Sequence, residues 1–415
     1  MIGKTLKHYT SIVSKLLNGF ALRKNGNQDR SFSFVDSEEK ISSVVKELKN
    51  SREIAVDIEG NSLYGYGAKI CLVQISTRNQ NFIIDPMRIK ISFLKDIFSN
   101  PKIEKILHGS AYDIQMLYHC AQIQICNLFD TQIAAQFLGE KKTGLAGLVE
   151  KYFNVVLQKK YQKSNWAIRP LSDEMLEYAV SDTRYLLPLA DRLKEKLNSI
   201  DRIEWVKEEC EYLALNGIKT QKKTKSIRGM GKISGEKFAI AQAIIEMRED
   251  IAREKDLPPF KIIDRESILK IASSDVITEE KLRYLTAGYP IIQKHLGEMI
   301  ERIKSVQSNG YEKIYHKEKK KKHDGSFPLK TEKLYRWREK KAEELKLAPH
   351  LILSHKQIVA LAETKIKTPD DIFKFDHLKK WQKKSFGKEL GVLINPIKKH
   401  HKKKKGKVWK NQGWE

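Results

Sequence analysis

Short apolar runs rich in β-branched residues come early in the chain, and helical spacing takes over after them. Ile54-Ala55-Val56, Ile70-Cys71-Leu72-Val73-Gln74-Ile75 and Phe82-Ile83-Ile84 are separated by glycine-rich or polar stretches at 60–67 and 77–81. Runs of this length, bounded by turn residues, predict a three-strand meander. Ile106-Leu107-His108 predicts a fourth, shorter strand, preceded by a helix over 91–99. From residue 111 the apolar positions recur at three and four, which predicts helices over 111–121, 130–138, 143–153 and 173–197. Strands first, with helices packed around them, make an α/β layer domain that runs to about residue 205.

A polar, basic connector follows at 216–234, and helical periodicity then continues without a credible strand. This half repeats itself at an offset of 90 residues. Arg248 matches Arg338, Glu249 matches Glu339, Ala252 matches Ala342 and Pro259 matches Pro349. Ile262-Ile263, Ile268 and Ile271-Ala272 align with Ile352-Leu353, Ile358 and Leu361-Ala362, and Met247 shares its apolar slot with Trp337. Two copies of one small helical module are expected, with their apolar positions and Trp337 and Trp381 in the cores. The organisation read from these patterns is a basic extension at 1–30, an α/β domain at 31–210 and a basic linker at 211–232. A first helical module at 233–308, a lysine-rich linker at 309–328, a second module at 329–397 and a disordered basic tail at 398–415 complete it.

Charge adds a partner to this picture. The 415 residues carry a net +26, and +17 of it falls in residues 311–415, with 30 Lys/Arg against 13 Asp/Glu. Such an excess points to a polyanion, nucleic acid before anionic membrane. The lysine runs at 319–322 and 402–405 suit phosphate neutralisation, a solvated tail or a nuclear import signal. Four cysteines without a paired or zinc-ligand spacing point to a reducing compartment rather than a disulfide scaffold. No apolar run approaches the ~20 residues of a spanning helix, so a soluble, cytoplasmic protein is expected. The first 28 residues hold five basic residues and no acid, which fits a plain basic extension or an organellar transit peptide; mitochondrial and nuclear placement therefore stay open.

The candidate chemistry lies in the first half. Asp57 and Glu59 are two apart on the first predicted strand, so both carboxylates leave one face of the sheet. Tyr178 and Asp182 are four apart on a predicted helix and stack on one side of it. Asp113 follows the Ile106-Leu107-His108 strand through Gly109 and Ser110. Four carboxylates converging on one point repel one another unless hard cations hold them, and Mg²⁺ or Mn²⁺ takes that place in phosphoryl chemistry.

At these residues the chain resembles ribonuclease D and its relatives, 3′→5′ exonucleases with four acidic residues and a tyrosine in the active site. The segments that carry the resemblance are VDIEGNSLYGYGAKICLVQIS (56–76), HGSAYDIQML (108–117), LFDTQIAAQFLG (128–139), LQKKYQKSNWAIRPLS (157–172) and YAVSDTRYLLPL (178–189). The repeat looks like two tandem helicase-and-RNase-D C-terminal (HRDC) domains, and the resemblance covers roughly 32–395. Asn165 departs from the family pattern, where many relatives carry an acidic residue before the tryptophan; no metal-binding position is touched. The resemblance implies an α/β ribonuclease-H-like exonuclease domain followed by two all-α HRDC domains that handle RNA. It also implies two divalent metal ions and stepwise release of nucleoside monophosphates from RNA 3′ ends. Carried over by motif, Asp57, Glu59, Asp113 and Asp182 become metal ligands. Asp57 would bridge both ions, Glu59 and Asp182 would serve the water-activating ion, and Asp113 would reach the other through an ordered water. Tyr178 would orient the attacking water.

Several neighbours have two readings. His108 lines the cleft or is a structural histidine. Lys160, Trp166 and Arg169 touch substrate phosphates or stack a base, or else Trp166 and Pro170 pin the loop before the Tyr178 helix. Gln74 is read as facing the sheet interior or a neighbouring loop. The expected function is a soluble, monomeric 3′→5′ exoribonuclease acting on structured-RNA precursors, tRNA 3′ trailers first. A single-strand DNA 3′→5′ exonuclease is the first alternative, disfavoured by the absence of polymerase or helicase motifs. A non-catalytic RNA-binding protein with a relic nuclease fold is the second, disfavoured by the complete set of five residues.

Overall fold

The computed structural model describes residues 32–218, 227–233, 235–308, 327–364, 366 and 368–395. The basic extension at 1–30, the lysine run at 319–322 and the basic tail from 398 lie outside these residues. The chain divides into two compact units, Met1–Lys320 and Lys321–Glu415. No described helix is long and apolar enough to cross a membrane.

The first unit opens with a six-stranded sheet in the order β1-β4-β3-β2-β5-β6. These are β1 (Ser33–Val35), β2 (Glu53–Gly60), β3 (Ile70–Ser76), β4 (Asn81–Ile84), β5 (Glu104–Leu107) and β6 (Leu128–Asp130). The expected meander is β2-β3-β4, antiparallel throughout. The sheet is wider than the four expected strands. β1 and β6 are three residues each, too short to show any alternation, and both exist by parallel pairing, β1 to β4 and β6 to β5. Eight helices surround the sheet: α1 (Ile41–Asn50), α2 (Leu94–Phe98), α3 (Ala111–Ala121), α4 (Thr131–Phe137), α5 (Leu145–Phe153), α6 (Asp173–Arg184), α7 (Leu186–Ser199) and α8 (Ile203–Asn216). The expected single helix over 173–197 is α6 and α7, broken at Tyr185; Pro188 falls in the first turn of α7, where its missing N–H costs nothing. Val206, Cys210 and Ala214 of α8 are buried, and position 210, the expected end of the α/β domain, falls inside this helix.

The helical remainder repeats at the offset read from the sequence. Helices Pro259–Ile262 and Arg265–Ser273 recur in the second unit as Pro349–Ile352 and His355–Glu363. Asp256 and Lys346 occupy the same left-handed turn, at φ 45° and 54°. Leu257 N–H donates to Ala252 O and Leu347 N–H to Ala342 O, each at 2.9 Å. Asp264 and Ser354 cap equivalent helices by accepting from Ser267 N–H and Gln357 N–H. The repeated Ile, Leu and Ala positions are buried in both copies. Trp381 is buried, and Trp337 is half-buried with its indole N–H on Glu389 at 2.9 Å.

Candidate active site

β2 lies between β3 and β5 near the centre of the sheet, and its alternation puts Asp57 and Glu59 on the face that α6 covers. The opposite alternation, Ile54, Val56 and Ile58, is buried. α6 starts at Ser172, whose hydroxyl caps Met175 N–H, and packs Leu176, Ala179, Val180 and Thr183 inward. One turn apart on its flank, Tyr178 and Asp182 reach the two β2 carboxylates. Carboxylate oxygens of Asp57, Glu59 and Asp182 lie within 4.8 Å of one another, and the Tyr178 hydroxyl hydrogen-bonds Asp182.

Asp113 enters from the first turn of α3, and a buried carboxylate sets that turn. Asp130 caps α4 by accepting from Gln132 N–H (2.8 Å) and Ile133 N–H (3.2 Å). It also accepts from Gly109 N–H (3.1 Å), and from Ser110 N–H and hydroxyl (2.8 Å each). Gly109 turns at φ +67°, where a Cβ would press on Gln132 Oε1 at 3.1 Å. The end of β5, the start of α3 and the start of α4 are thus fixed to one group. Sequence reasoning missed Asp130; its signal was an acid directly before a helix.

Burial raises all four carboxyls, and for three of them a neighbouring carboxyl adds to it. Burial raises the Asp57 carboxyl to about 6. Burial, then Asp57, Asp182 and Asp113, push Glu59 up to about 10. Asp182 is raised to about 8 by burial and Asp57, against the pull of the Tyr178 hydrogen bond. Asp113 is raised by burial first, then by Asp57 and Asp130. Among the described residues, no cationic side chain is a cause of these four shifts. An all-oxygen donor set of this kind fits a hard divalent cation.

Asp57, Glu59 and Asp182, with Tyr178, line a cleft of about 720 Å³ whose walls come from α5 and the 156–162 segment, with Lys142, Lys159 and Gln162 among the lining residues; Asp113 is not among them. His108 lines it too. Thr131 Oγ1 donates to Leu107 O (3.0 Å), so the His108 Nδ1–H donates to Thr131 (2.9 Å) and Nε2 is the acceptor nitrogen, enclosed and without a protein partner. Lys160 is exposed, its ammonium 4.8 Å from the Tyr161 ring centre, beside a smaller pocket that shares Tyr178. Trp166 and Arg169 are placed otherwise than a substrate contact requires. Trp166 is 1% exposed and lies under Tyr178, ring centres 6.0 Å apart, with Tyr161 edge-on to the same ring at 5.9 Å. Arg169 grips the fully buried Asp85 through Nε (2.7 Å) and Nη2 (2.6 Å) and donates to Cys71 O and Trp166 O. Both residues brace the loop before α6; for Trp166 that is the second of its two readings, and for Arg169 it differs from the substrate contact expected.

Residues 32–198 match the family model described as a 3′-5′ exonuclease, and 331–394 match that of the HRDC domain. The crystal structure of the catalytic core of RRP6 from Trypanosoma brucei is 30% identical, with a TM-score of 0.58 over 69% of this chain and 82% of that one. The chain belongs to the ribonuclease D-type family of 3′→5′ exonucleases. Its fold extends the likeness: Escherichia coli RNase D matches with a TM-score of 0.67 at 21% identity, over 88% of this chain and 99% of the other. The exosome complex exonuclease RRP6 of Saccharomyces cerevisiae is 37% identical over 183 residues, 44% of this chain and 25% of that protein. The chain spans a third or less of the length of the first curated relatives it matches.

Proposed function

We propose that this family member is a metal-dependent 3′→5′ exoribonuclease that shortens RNA one nucleotide at a time and releases nucleoside 5′-monophosphates. The observation that carries this reading is the meeting of the Asp57, Glu59 and Asp182 oxygens within reach of one ion, with Tyr178 bonded to Asp182; Asp113 stands outside that trio, near enough to Asp57 to feel its charge. Asp57, Glu59, Asp113 and Asp182 would hold two divalent ions, Mg²⁺ or Mn²⁺. Bound there, the ions supply positive charge that activates water and steadies the departing 3′-oxyanion. The rest is the chain's own work. The Tyr178 hydrogen is given to Asp182, so its oxygen lone pairs are left to accept from a water and hold it in line. Burial and the surrounding carboxylates keep that phenol neutral, so Tyr178 orients and is no base. Lys142, Lys159 and Lys160 meet the phosphates that enter the cleft.

RNA rather than DNA is proposed from the relatives, which are named as an exosome exonuclease and as RNase D. Structured-RNA precursors, tRNA 3′ trailers first, are the substrates to test. Residues 233–308 are proposed as a first HRDC copy on the strength of their residue-by-residue repetition of the second. The isolated chain is proposed to be a monomer. The yeast relative is named for the exosome complex, so assembly with a comparable complex is the matching partner proposal. The deciding experiment incubates the protein with 5′-labelled tRNA precursor and a DNA of equal sequence, with Mg²⁺, Mn²⁺ or EDTA. A one-nucleotide ladder on RNA that EDTA abolishes supports the reading. Internal cuts, or faster loss of the DNA, would overturn it.

A further inference from the structure

Beneath the acidic cluster lies a polar side chain that the chemistry above does not use. Gln74 is fully buried in β3, and among the described residues neither its amide nitrogen nor its amide oxygen has a hydrogen-bond partner. A buried amide left in this state costs free energy, so a Leu or Met would be the stabler residue unless the amide has work to do. The register says where it is. Gln74 stands directly opposite Asp57 in the antiparallel β2–β3 pair, so the two side chains leave the same face with Cβ atoms about 4.5–5.5 Å apart. Its neighbours along that face are fixed by α6: Leu72 packs with Leu176, Ala179 and Val180, and the Ser76 hydroxyl donates to Thr183 Oγ1 at 2.7 Å. Gln74 therefore lies beside Asp57 on the face covered by the helix that carries Tyr178 and Asp182. Asp57, for its part, accepts from the backbone N–H of Ile58, and among the described residues no side chain donates to its carboxylate.

We propose that Gln74 is the positioning residue for Asp57: its amide N–H₂ turns to the Asp57 carboxylate when a divalent ion engages that group, and fixes the orientation of the ligand oxygens. Carboxylates that bind metals are themselves hydrogen-bonded, and their outer partners govern affinity. The register leaves Gln74 as the side chain directly across from Asp57 with a donor to give. The inference rests on the reading of Asp57 as a metal ligand.

The test is Mn²⁺ binding by calorimetry on the full chain, wild type against Gln74→Met, which keeps the volume and removes the amide. The Mn²⁺ Kd is expected to rise about tenfold or more, while the melting temperature in EDTA stays level or rises. An unchanged Kd, within about twofold, would overturn the proposal and leave the metal site standing. Absence of Mn²⁺ binding by the wild type would overturn both. Should the variant fail to fold, side-chain ¹⁵N-labelled glutamine in the wild type gives a second readout. The Gln74 amide resonance, assigned through its own side-chain carbons, is expected to shift and slow its exchange on adding Mg²⁺, and an unmoved resonance would sink the idea.

Discussion

Asp57 is the central member of the acidic cluster, the one group that raises the carboxyls of Glu59, Asp113 and Asp182 alike. Its substitution therefore separates chemistry from stability. Asp57→Ala is expected to lower turnover by at least about 10²–10³-fold, while the melting temperature in EDTA does not fall, since a buried carboxyl that disfavours ionisation of three neighbours has gone. Retained turnover, with contaminating nuclease excluded, would contradict the site. Burial, and after it repulsion among the carboxyls, has a pH signature. The carboxyls of Asp57, Asp182 and Glu59 are raised from 3.8, 3.8 and 4.5 to about 6, 8 and 10. A raised acid contributes stability that is present in full below its unfolded value and lost as pH rises through its folded one. Metal-free protein should thus melt at progressively lower temperature from pH 5 to 9, and Mn²⁺ should flatten the decline. A flat EDTA curve would count against uncompensated charge at the site. At this scale the sequence displayed the reactive residues and concealed their supports. Asp57, Glu59, Tyr178 and Asp182 were legible because strand and helix periods place them. Trp166 and Arg169 were ambiguous because an aromatic or a cation reads alike in a cleft and in a core. Only the fold reveals that Asp85 takes the guanidinium and Tyr178 covers the indole.

At the scale of elements, what sequence periodicity lacked was the means to join pieces far apart in the chain. β6 has three residues and no alternation, yet its last, Asp130, ties β5, α3 and α4 together. Asp130→Ala leaves those buried N–H groups without an acceptor, at roughly 1–3 kcal/mol for each one that water cannot reach. The expected result is a marked loss in urea stability, together with loss of activity because the start of α3, and Asp113 with it, is released. Asp130→Asn keeps the shape and can serve only part of the set, so it should fall between. Equal stability of wild type and Asp130→Ala would show that the turn is held by other contacts. The Arg169 brace offers a parallel case. Arg169→Ala takes the bidentate partner from the buried Asp85 carboxylate and leaves it Arg88 Nε at 3.8 Å and the Met87 N–H at 3.0 Å, so it should cost less than the roughly 3–5 kcal/mol of a fully unpaired buried charge, read as a lower denaturation midpoint at unchanged slope.

The whole first unit couples its helical repeat to the strand that bears Glu59. The loop leaving β2 presents Tyr66, whose backbone N–H donates to Asp256 at 2.9 Å and whose ring lies 5.5 Å from the Arg253 guanidinium. Lys69 pairs with Asp256 at 3.7 Å, and the Lys261 ammonium lies 4.9 Å from the Tyr64 ring. The repeat was legible in the sequence, but this use of it was not, because equivalent positions carry different chemistry: Asp256 corresponds to Lys346, Arg253 to Glu343 and Lys261 to Leu351. The second copy cannot make the same contacts, so the two copies are not interchangeable. Magnitudes decide how Asp256→Lys should behave. Lys69 and Asp256 are each more than half exposed, and such surface pairs contribute about 0–1 kcal/mol, so the melting temperature should barely move. The local effect should be larger than the global one. The Tyr66 amide loses its acceptor, and hydrogen exchange across 61–69 should accelerate while exchange in the β2–β3 pair stays slow. Activity should fall by a modest factor, since Glu59 lies one residue from the end of β2 where this loop begins. Unchanged exchange in the loop would mean that the repeat merely rests against the sheet domain, without holding the segment next to its carboxylates.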